Sequence, residues 1–264
     1  MSTATYAVRD SVTMLRRNLK HMVRYPSQTL MLIGLPLLFL LLFVHVFGGA
    51  LGSGLPGARA GDRGDYLTFI TPGVLVMAVA SVSISTAVSV ATDMTGGIID
   101  RFRTMPIAKV SVLTGHVLGA MVQSALALAA VFGVAVLLGL GTAASATQWS
   151  AFVGLLMLLS FAMTWFAVAL GLAAPTPEAA SNWPMIFILL PFTGSGFVPV
   201  ESMPAGLRWF AGHQPFTPVM DAVRGLLAGS PGAGSVLGAI GWCAVIGLVG
   251  YLWSRRLYRT RSAN

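Results

Sequence analysis

Six stretches of this chain are long and nearly free of polar residues: 29–47, 69–91, 112–140, 149–173, 183–198 and 236–253. A helix rises about 1.5 Å per residue and a bilayer's hydrocarbon core is about 30 Å thick, so a spanning helix needs about 20 apolar residues. The pattern predicts an all-α integral membrane protein with six transmembrane helices. The fifth stretch is the shortest, and Pro184, Pro191 and Pro199 punctuate it.

Two regions outside the spans carry patterns of their own. Within 6–24, Val8, Val12, Leu15, Leu19 and Met22 recur at helical spacing with basic residues between them. That predicts an N-terminal amphipathic helix lying in the membrane interface. The segment 199–234 alternates apolar clusters, MPAGLRWF and PFTPVMDAVRGLL, with prolines and glycines. It is too apolar for a solvated loop and predicts an outer re-entrant helical hairpin whose interrupted backbone is satisfied by neighbouring protein.

Composition agrees with the pattern. The chain has 264 residues, 56% of them apolar and 9% charged, with a mean hydropathy of +0.81, which does not describe a soluble core. A net charge of +8 raises the question of nucleic acid. Twelve of the 16 basic residues gather at the chain ends and in one connection, without the basic groove and aromatic platforms that nucleic acid requires. They fit an anionic membrane leaflet, and no nucleic-acid partner is expected.

Orientation follows from the same residues, because Lys and Arg resist translocation. Arg9, Arg16, Arg17, Lys20 and Arg24 precede the first span, and Arg255, Arg256, Arg259 and Arg261 follow the last. Both termini are therefore expected in the cytoplasm. Six spans then place 92–109, with Arg101, Arg103 and Lys109, inside as well. The lone Cys243 lies in an apolar run and allows no intramolecular disulfide. The first residues lack the apolar stretch and cleavage site of a secretory signal, so the amino terminus is expected to stay on.

The chemistry that is missing narrows the function. Carriers driven by protons or sodium place ionisable or coordinating groups near mid-membrane, yet no Asp, Glu, Lys or Arg stands well inside any of the six runs. His45 and His116 are the only candidates, and a packed or interfacial histidine accounts for each. No GxxxxGK precedes a Ser or Thr: the two lysines, Lys20 and Lys109, follow Leu19 and Ala108. HExxH and GxSxG are absent, and the four histidines lie in different segments. Glu178, Glu201 and Asp221 read as solvated, surface or helix-capping groups. Catalytic, metal and cofactor sites are not expected, so active transport would need energy from a partner that touches the cytoplasmic connections.

The charged connection DMTGGIIDRFRTMPIAK, 93–109, is the natural contact. Thr92 or Asp93 is predicted to cap a short helix reaching Thr104, with Met94, Ile98, Phe102 and Met105 forming one apolar stripe. Asp100, Arg101 and Arg103 fall to its sides, Pro106 stops it, and Gly96 and Gly97 predict a bend. Charge and stripe fit equally an anchor in the headgroups and a helix docked in a protein groove.

The string DRFRTMPIAKVSVLTGHVLG, 100–119, resembles the loop motif of ABC-2 type transporter permeases: an acidic residue, Arg, a Pro-Ile step, then a glycine-basic pair opening the next span. GFVPVESMPAGLRWFAGHQPFTPVMDAVRGLL, 196–227, resembles that family's second signature, with a Met-Pro, a short helix, and Pro-x-Thr before another helix. With the six-span plan, the resemblance covers nearly the whole chain and points to the daunorubicin-resistance type of drug or lipid exporter. Asp100 stands where Glu is common in the family, and His116 where Arg is common.

The resemblance implies one transmembrane domain, 1–264, with an elbow helix (1–28), a cytoplasmic coupling loop (92–109), an outer re-entrant segment (199–234) and a cytoplasmic tail (254–264). It implies a permease of the bacterial cytoplasmic membrane that pairs with a second permease chain and with two ABC ATP-binding subunits. Those subunits would hold ATP and Mg²⁺, with no cofactor in this chain. Met94, Ile98, Asp100, Arg101, Phe102, Arg103, Met105 and Pro106 would make the ATPase-coupling segment. Met203, Pro204, Pro215 and Thr217 would shape the outer segment. The spans offer few polar groups, among them Ser83, Thr86, Ser124, Ser160 and Thr164, which favours an amphiphilic or apolar cargo such as a drug, polyketide or lipid. The alternative is a passive channel or secondary carrier without an ATPase.

Overall fold

A computed structural model of the chain describes residues 24, 26–49, 63–96 and 109–261. The interfacial helix expected at 6–24 and most of the 92–109 connection lie outside the described residues. All regular structure among the described residues is helical.

In chain order, α1 (Pro26–Leu42) continues as a π-helical turn (Phe43–Phe47), followed by α2 (Arg63–Thr95), α3 (Lys109–Leu137) and α4 (Ala146–Ala173). Then come α5 (Pro177–Asn182), α6 (Ile186–Leu189), α7 (Ala205–His213), α8 (Phe216–Leu227) and α9 (Ala233–Arg261). α1 with its π turn, α2, α3, α4 and α9 are long and apolar enough to cross a membrane. Each of the five matches one of the predicted spans, α3 stopping at Leu137 short of residue 140, and each continues into polar sequence at one or both ends.

The fifth predicted span, 183–198, is not a single helix. Residues 177–193 coil as α5, a 3₁₀ turn (Trp183–Met185), α6 and a second 3₁₀ turn (Leu190–Thr193). Pro184 and Pro191 sit buried within those turns. Neither can donate a backbone N–H, and each ring crowds the carbonyl one turn back, so the α ladder breaks into tighter turns at both. The expected cap at Thr92 or Asp93 is also corrected. α2 runs through both positions without interruption, so no free first-turn N–H groups exist there for a cap to bind. Thr92 instead donates its hydroxyl to the Val88 carbonyl, 2.8 Å away in the same helix.

α2 and α4 form the centre of the bundle, with α9 and α3 packed against α4. Glycine makes the closest approaches. A Cβ on Gly171 of α4 would stand 2.5 Å from the Ala87 carbonyl oxygen of α2, and one on Gly250 of α9 would stand 2.5 Å from the Phe166 backbone nitrogen of α4. Without a driving force from water, helices in lipid associate through such close backbone packing. The outer faces of α1 and α9 expose large apolar side chains, including Met31, Leu38, Val46, Leu237, Val245 and Leu248, as surfaces in contact with hydrocarbon should.

The chain order gives the bundle two distinct ends. At one, called the loop end here, α2 stops, α3 starts, and α4 and α9 finish. At the other, the cap end, 194–232 folds over the starts of α2, α4 and α9. Ser145 and Gln148 cap α4 reciprocally there: Gln148 N–H donates to the serine hydroxyl and Ser145 N–H to the Gln148 side chain. Gln148 Nε2 also donates to the Gly229 carbonyl at 2.9 Å. Gly229 turns the chain from α8 into α9 at φ +74°, where a Cβ would meet the Ala143 carbonyl oxygen at 2.8 Å. Only glycine suits that turn.

Candidate functional site

At the loop end, one polar pair joins α2 to α3. Asp93 and His116 are both buried, and His116 Nε2 lies 3.1 Å from Asp93 Oδ2. The residues one turn before and one position after each of them, Val90 and Met94 on α2 and Leu113 and Val117 on α3, belong to a single apolar cluster. Trp165, Val168 and Leu172 of α4 and Tyr258 of α9 complete that cluster. A carboxylate away from water is tolerated only when paired and hydrogen-bonded, and here the imidazole is its partner across 23 residues of sequence. Of the expected coupling residues, the structure places Met94, half-buried against this cluster. Ile98, Asp100, Arg101, Phe102, Arg103, Met105 and Pro106 lie outside the described residues.

The last two turns of α9 add a basic rim at the same end, with Arg255, Arg256 and Arg259 exposed around a shallow depression. Beyond Ala173, Thr176 caps α5 by accepting from Ala179 N–H. Glu178, in the first turn of that helix, is held below the usual carboxylate range by a backbone N–H and by the Thr176 hydroxyl.

The cap end is built around Arg224 of α8. Its Nη1 donates to Asp221 Oδ1 at 2.7 Å, and its Nη2 donates to the Ser195 carbonyl at 2.6 Å and the Phe69 carbonyl at 3.1 Å. The guanidinium carbon stands 4.3 Å from the centre of the Phe69 ring, a stacking that favours the cation. The Ser195 hydroxyl donates to the same Asp221 oxygen at 2.7 Å. One side chain thus ties α2, the turn at 194–197 and α8 together. Burial pulls the guanidinium below its ordinary value, and Asp221 opposes that pull.

The segment touches α2 directly as well. A Cβ on Gly73 would stand 2.9 Å from both Cα and O of Gly196, so the two backbones are in contact. Nearby, Phe192 and Phe197 stack with ring centres 4.3 Å apart, and Phe39 of α1 and Phe43 of the π turn pack on them. Gln214 between α7 and α8 donates to the Leu190 carbonyl at 3.1 Å and to the Thr217 hydroxyl at 3.2 Å. Arg208 on α7 donates to the Glu201 and Met203 carbonyls.

All four residues expected in the outer segment are placed. Met203 is buried, Pro204 precedes α7 and Pro215 precedes α8, each where a missing N–H is harmless. Thr217 receives the Gln214 bond. Sequence reasoning missed Arg224 as the organiser; the Asp221–Arg224 spacing of three on a helix was the available signal. Among the polar groups of the spans, Ser83, Thr86 and Ser160 donate to carbonyls four residues back in their own helices. Ser124 and Thr164 are buried with no hydrogen-bond partner for their hydroxyls.

Comparison with known proteins extends over most of the chain. The family model for the ABC-2 type transporter matches residues 10–228. The daunorubicin resistance ABC transporter permease protein DrrB1 of Streptomyces coeruleorubidus is 32% identical over 261 residues, which cover 98% of this chain and 89% of that protein. The probable doxorubicin resistance ABC transporter permease protein DrrC of Mycobacterium tuberculosis is 22% identical over 240 residues, covering 90% of this chain and 84% of its own.

Proposed function

Because the chain belongs to the ABC-2 type transporter family, we propose that it works as the permease subunit of an exporter powered by separate ABC ATPase subunits. The family match across residues 10–228 carries this reading. The sequence adds the complementary point that the chain has no phosphate-cradling loop of its own. Energy then enters from a soluble partner through the connection between α2 and α3. In this reading both termini and the loop end face the cytoplasm, as the distribution of Arg and Lys favours. The cap end faces outward. Two ATPase copies, holding ATP and Mg²⁺, and a second permease chain complete the transporter.

Asp100, Arg101, Phe102, Arg103, Met105 and Pro106, with Met94 and Ile98, form the segment that docks on the ATPase. Met203, Pro204, Pro215 and Thr217 belong to the outer segment that closes the path. The cargo is amphiphilic or apolar, a drug, polyketide or lipid, and the relatives' association with daunorubicin and doxorubicin resistance makes a planar aromatic drug the first to test.

The test is co-expression with an ABC ATPase encoded beside this chain, reconstitution of the purified complex in vesicles, and measurement of ATP hydrolysis with daunorubicin present. Hydrolysis that rises with the drug is the expected result. Arg101→Glu with Arg103→Glu should abolish co-purification of the ATPase while the permease still inserts. Unchanged co-purification would sink the docking assignment.

A further inference from the structure

Most polar side chains of the long helices tie nothing across the bundle. Ser81, Ser83 and Thr86 of α2 donate to carbonyls of their own helix. Asp93 and His116 are different, because their contact crosses from α2 to α3. Apolar side chains at a helix interface offer many near-equivalent packings, so on their own they define helix register loosely. A buried polar contact between two helices is made in one relative position, and a shift of either helix would break the bond between the carboxylate and the imidazole. Fixing register is the best-attested use of such pairs.

The position of the pair gives that register a purpose. Asp93 is in the last turn of α2, and His116 is two turns into α3. These are the two helices that enter and leave the connection assigned above to the ATPase. Any force applied to that connection reaches the membrane through these two helix ends.

We propose that Asp93 and His116 form a positioning contact that locks the loop ends of α2 and α3 in one register, so that both helices answer the ATPase as a single unit. The inference rests on the docking reading of the preceding section. Asp93 and His116 touch neither cargo nor nucleotide; they act by holding the two helices together.

The test uses the complete complex with its ATPase. Cys243, the native cysteine, is replaced by alanine, and nitroxide labels are placed at Ser89→Cys on α2 and Leu118→Cys on α3, both exposed positions. The distance between labels is measured without nucleotide and with ATP and vanadate. In the parent complex it should be the same in both states. Asp93→Leu with His116→Leu removes both polar groups together and keeps the site filled, so the protein should remain folded. In that variant the distance should shift or broaden on adding ATP and vanadate. His116→Arg, which keeps a hydrogen-bond donor opposite Asp93, should keep the parent behaviour.

A double-leucine variant whose distance stays fixed in both states would overturn the proposal, as would a parent distance that changes with nucleotide. Co-purification of the ATPase is recorded on the same preparations. A retained ATPase with a lost register supports the positioning role. An ATPase that fails to bind even the parent chain removes the docking reading, and the inference falls with it.

Discussion

The two ends of the bundle solve the problem of polar groups in an apolar setting in different ways. At the loop end, two side chains satisfy each other across α2 and α3. At the cap end, Arg224 serves a carboxylate and also the backbone carbonyls of Phe69 and Ser195. The first arrangement fixes the relation between two regular helices whose backbones already satisfy themselves. The second ties α2 and α8 to a chain that regular structure has abandoned, supplying a donor to Ser195 where prolines and turns interrupt 184–204. Irregular backbone at membrane depth persists only where protein provides its hydrogen bonds. Removing the loop-end contact leaves two regular helices, whereas removing Arg224 leaves an irregular turn without its tie.

That difference yields the largest expected effect. Arg224→Ala would take the donor from the Ser195 carbonyl, leave Asp221 with the Ser195 hydroxyl alone, cut the tie to the Phe69 carbonyl of α2 and open the turn at 194–197. Side-chain exposures of 23% for Arg224 and 38% for Asp221 place the loss below that of a fully buried pair. A cost of about 2–4 kcal/mol in folding stability is expected. Arg224→Lys keeps the charge but loses the fork that reaches three acceptors at once, so it should recover only part of the loss. Thermal unfolding of the purified protein in detergent measures both. A stability for Arg224→Ala equal to that of Asp93→Leu with His116→Leu would erase the distinction between the two ends.

The same contrast explains which parts were legible in the sequence. Five long helices followed from apolar runs, since a span of near-uniform hydrophobicity has few other folds in lipid. Their ends were less legible, because Thr92–Thr95 and Ser254–Arg261 continue the helix in polar residues that hydropathy alone assigns to connections. The prolines at 184 and 191 were visible, yet whether they would kink a helix or break it into 3₁₀ turns depends on the packing around them. Asp93 looked like a helix cap because a short acidic residue after an apolar run fits that role locally; His116 stood out as a histidine in a span, but nothing in the sequence linked two residues 23 positions apart. Asp221 and Arg224 carried an i, i+3 signal, but the carbonyls of Phe69 and Ser195 are backbone atoms that no residue type announces. The coupling residues from Ile98 to Pro106 rest on motif resemblance, since they lie outside the described residues.

A second way to sharpen the comparison separates side-chain ties from backbone contact at the cap end. Gly196→Ala would push a methyl group against the Pro191 carbonyl oxygen at 2.6 Å, the Met220 sulfur at 2.9 Å and the Gly73 Cα at 3.3 Å, of which only Met220 can swing aside. The Pro191 and Gly73 contacts are backbone, so the turn must move away from α2 and strain the Arg224 bonds to Ser195 and Phe69. Overpacking of this kind costs about 1–3 kcal/mol. The same substitution at Gly133 on α3, where no atom lies within 4 Å of the new methyl group, should cost nothing measurable. Unfolding of the two variants in the same detergent gives the comparison directly, and equal stability would show that the Gly73–Gly196 approach carries no constraint.

The smallest effect tests whether an exposed charge at the loop end contributes at all. Glu178 stands in the first turn of α5, where helix N–H groups and the Thr176 hydroxyl favour its ionised form and hold its carboxyl below the ordinary range. A carboxyl depressed in the folded state stabilises that state above its unfolded pKa, and the contribution disappears as pH falls through the folded value. Glu178→Gln should therefore lower the melting temperature slightly near neutral pH, and the gap between variant and parent should close on acidification. Glu178 is fully exposed, so solvent screens the interaction and added salt should narrow the gap as well. A gap that is independent of both pH and salt would mean that the glutamine acts through packing or helix propensity, leaving the buried Asp93–His116 pair as the loop-end carboxylate that matters.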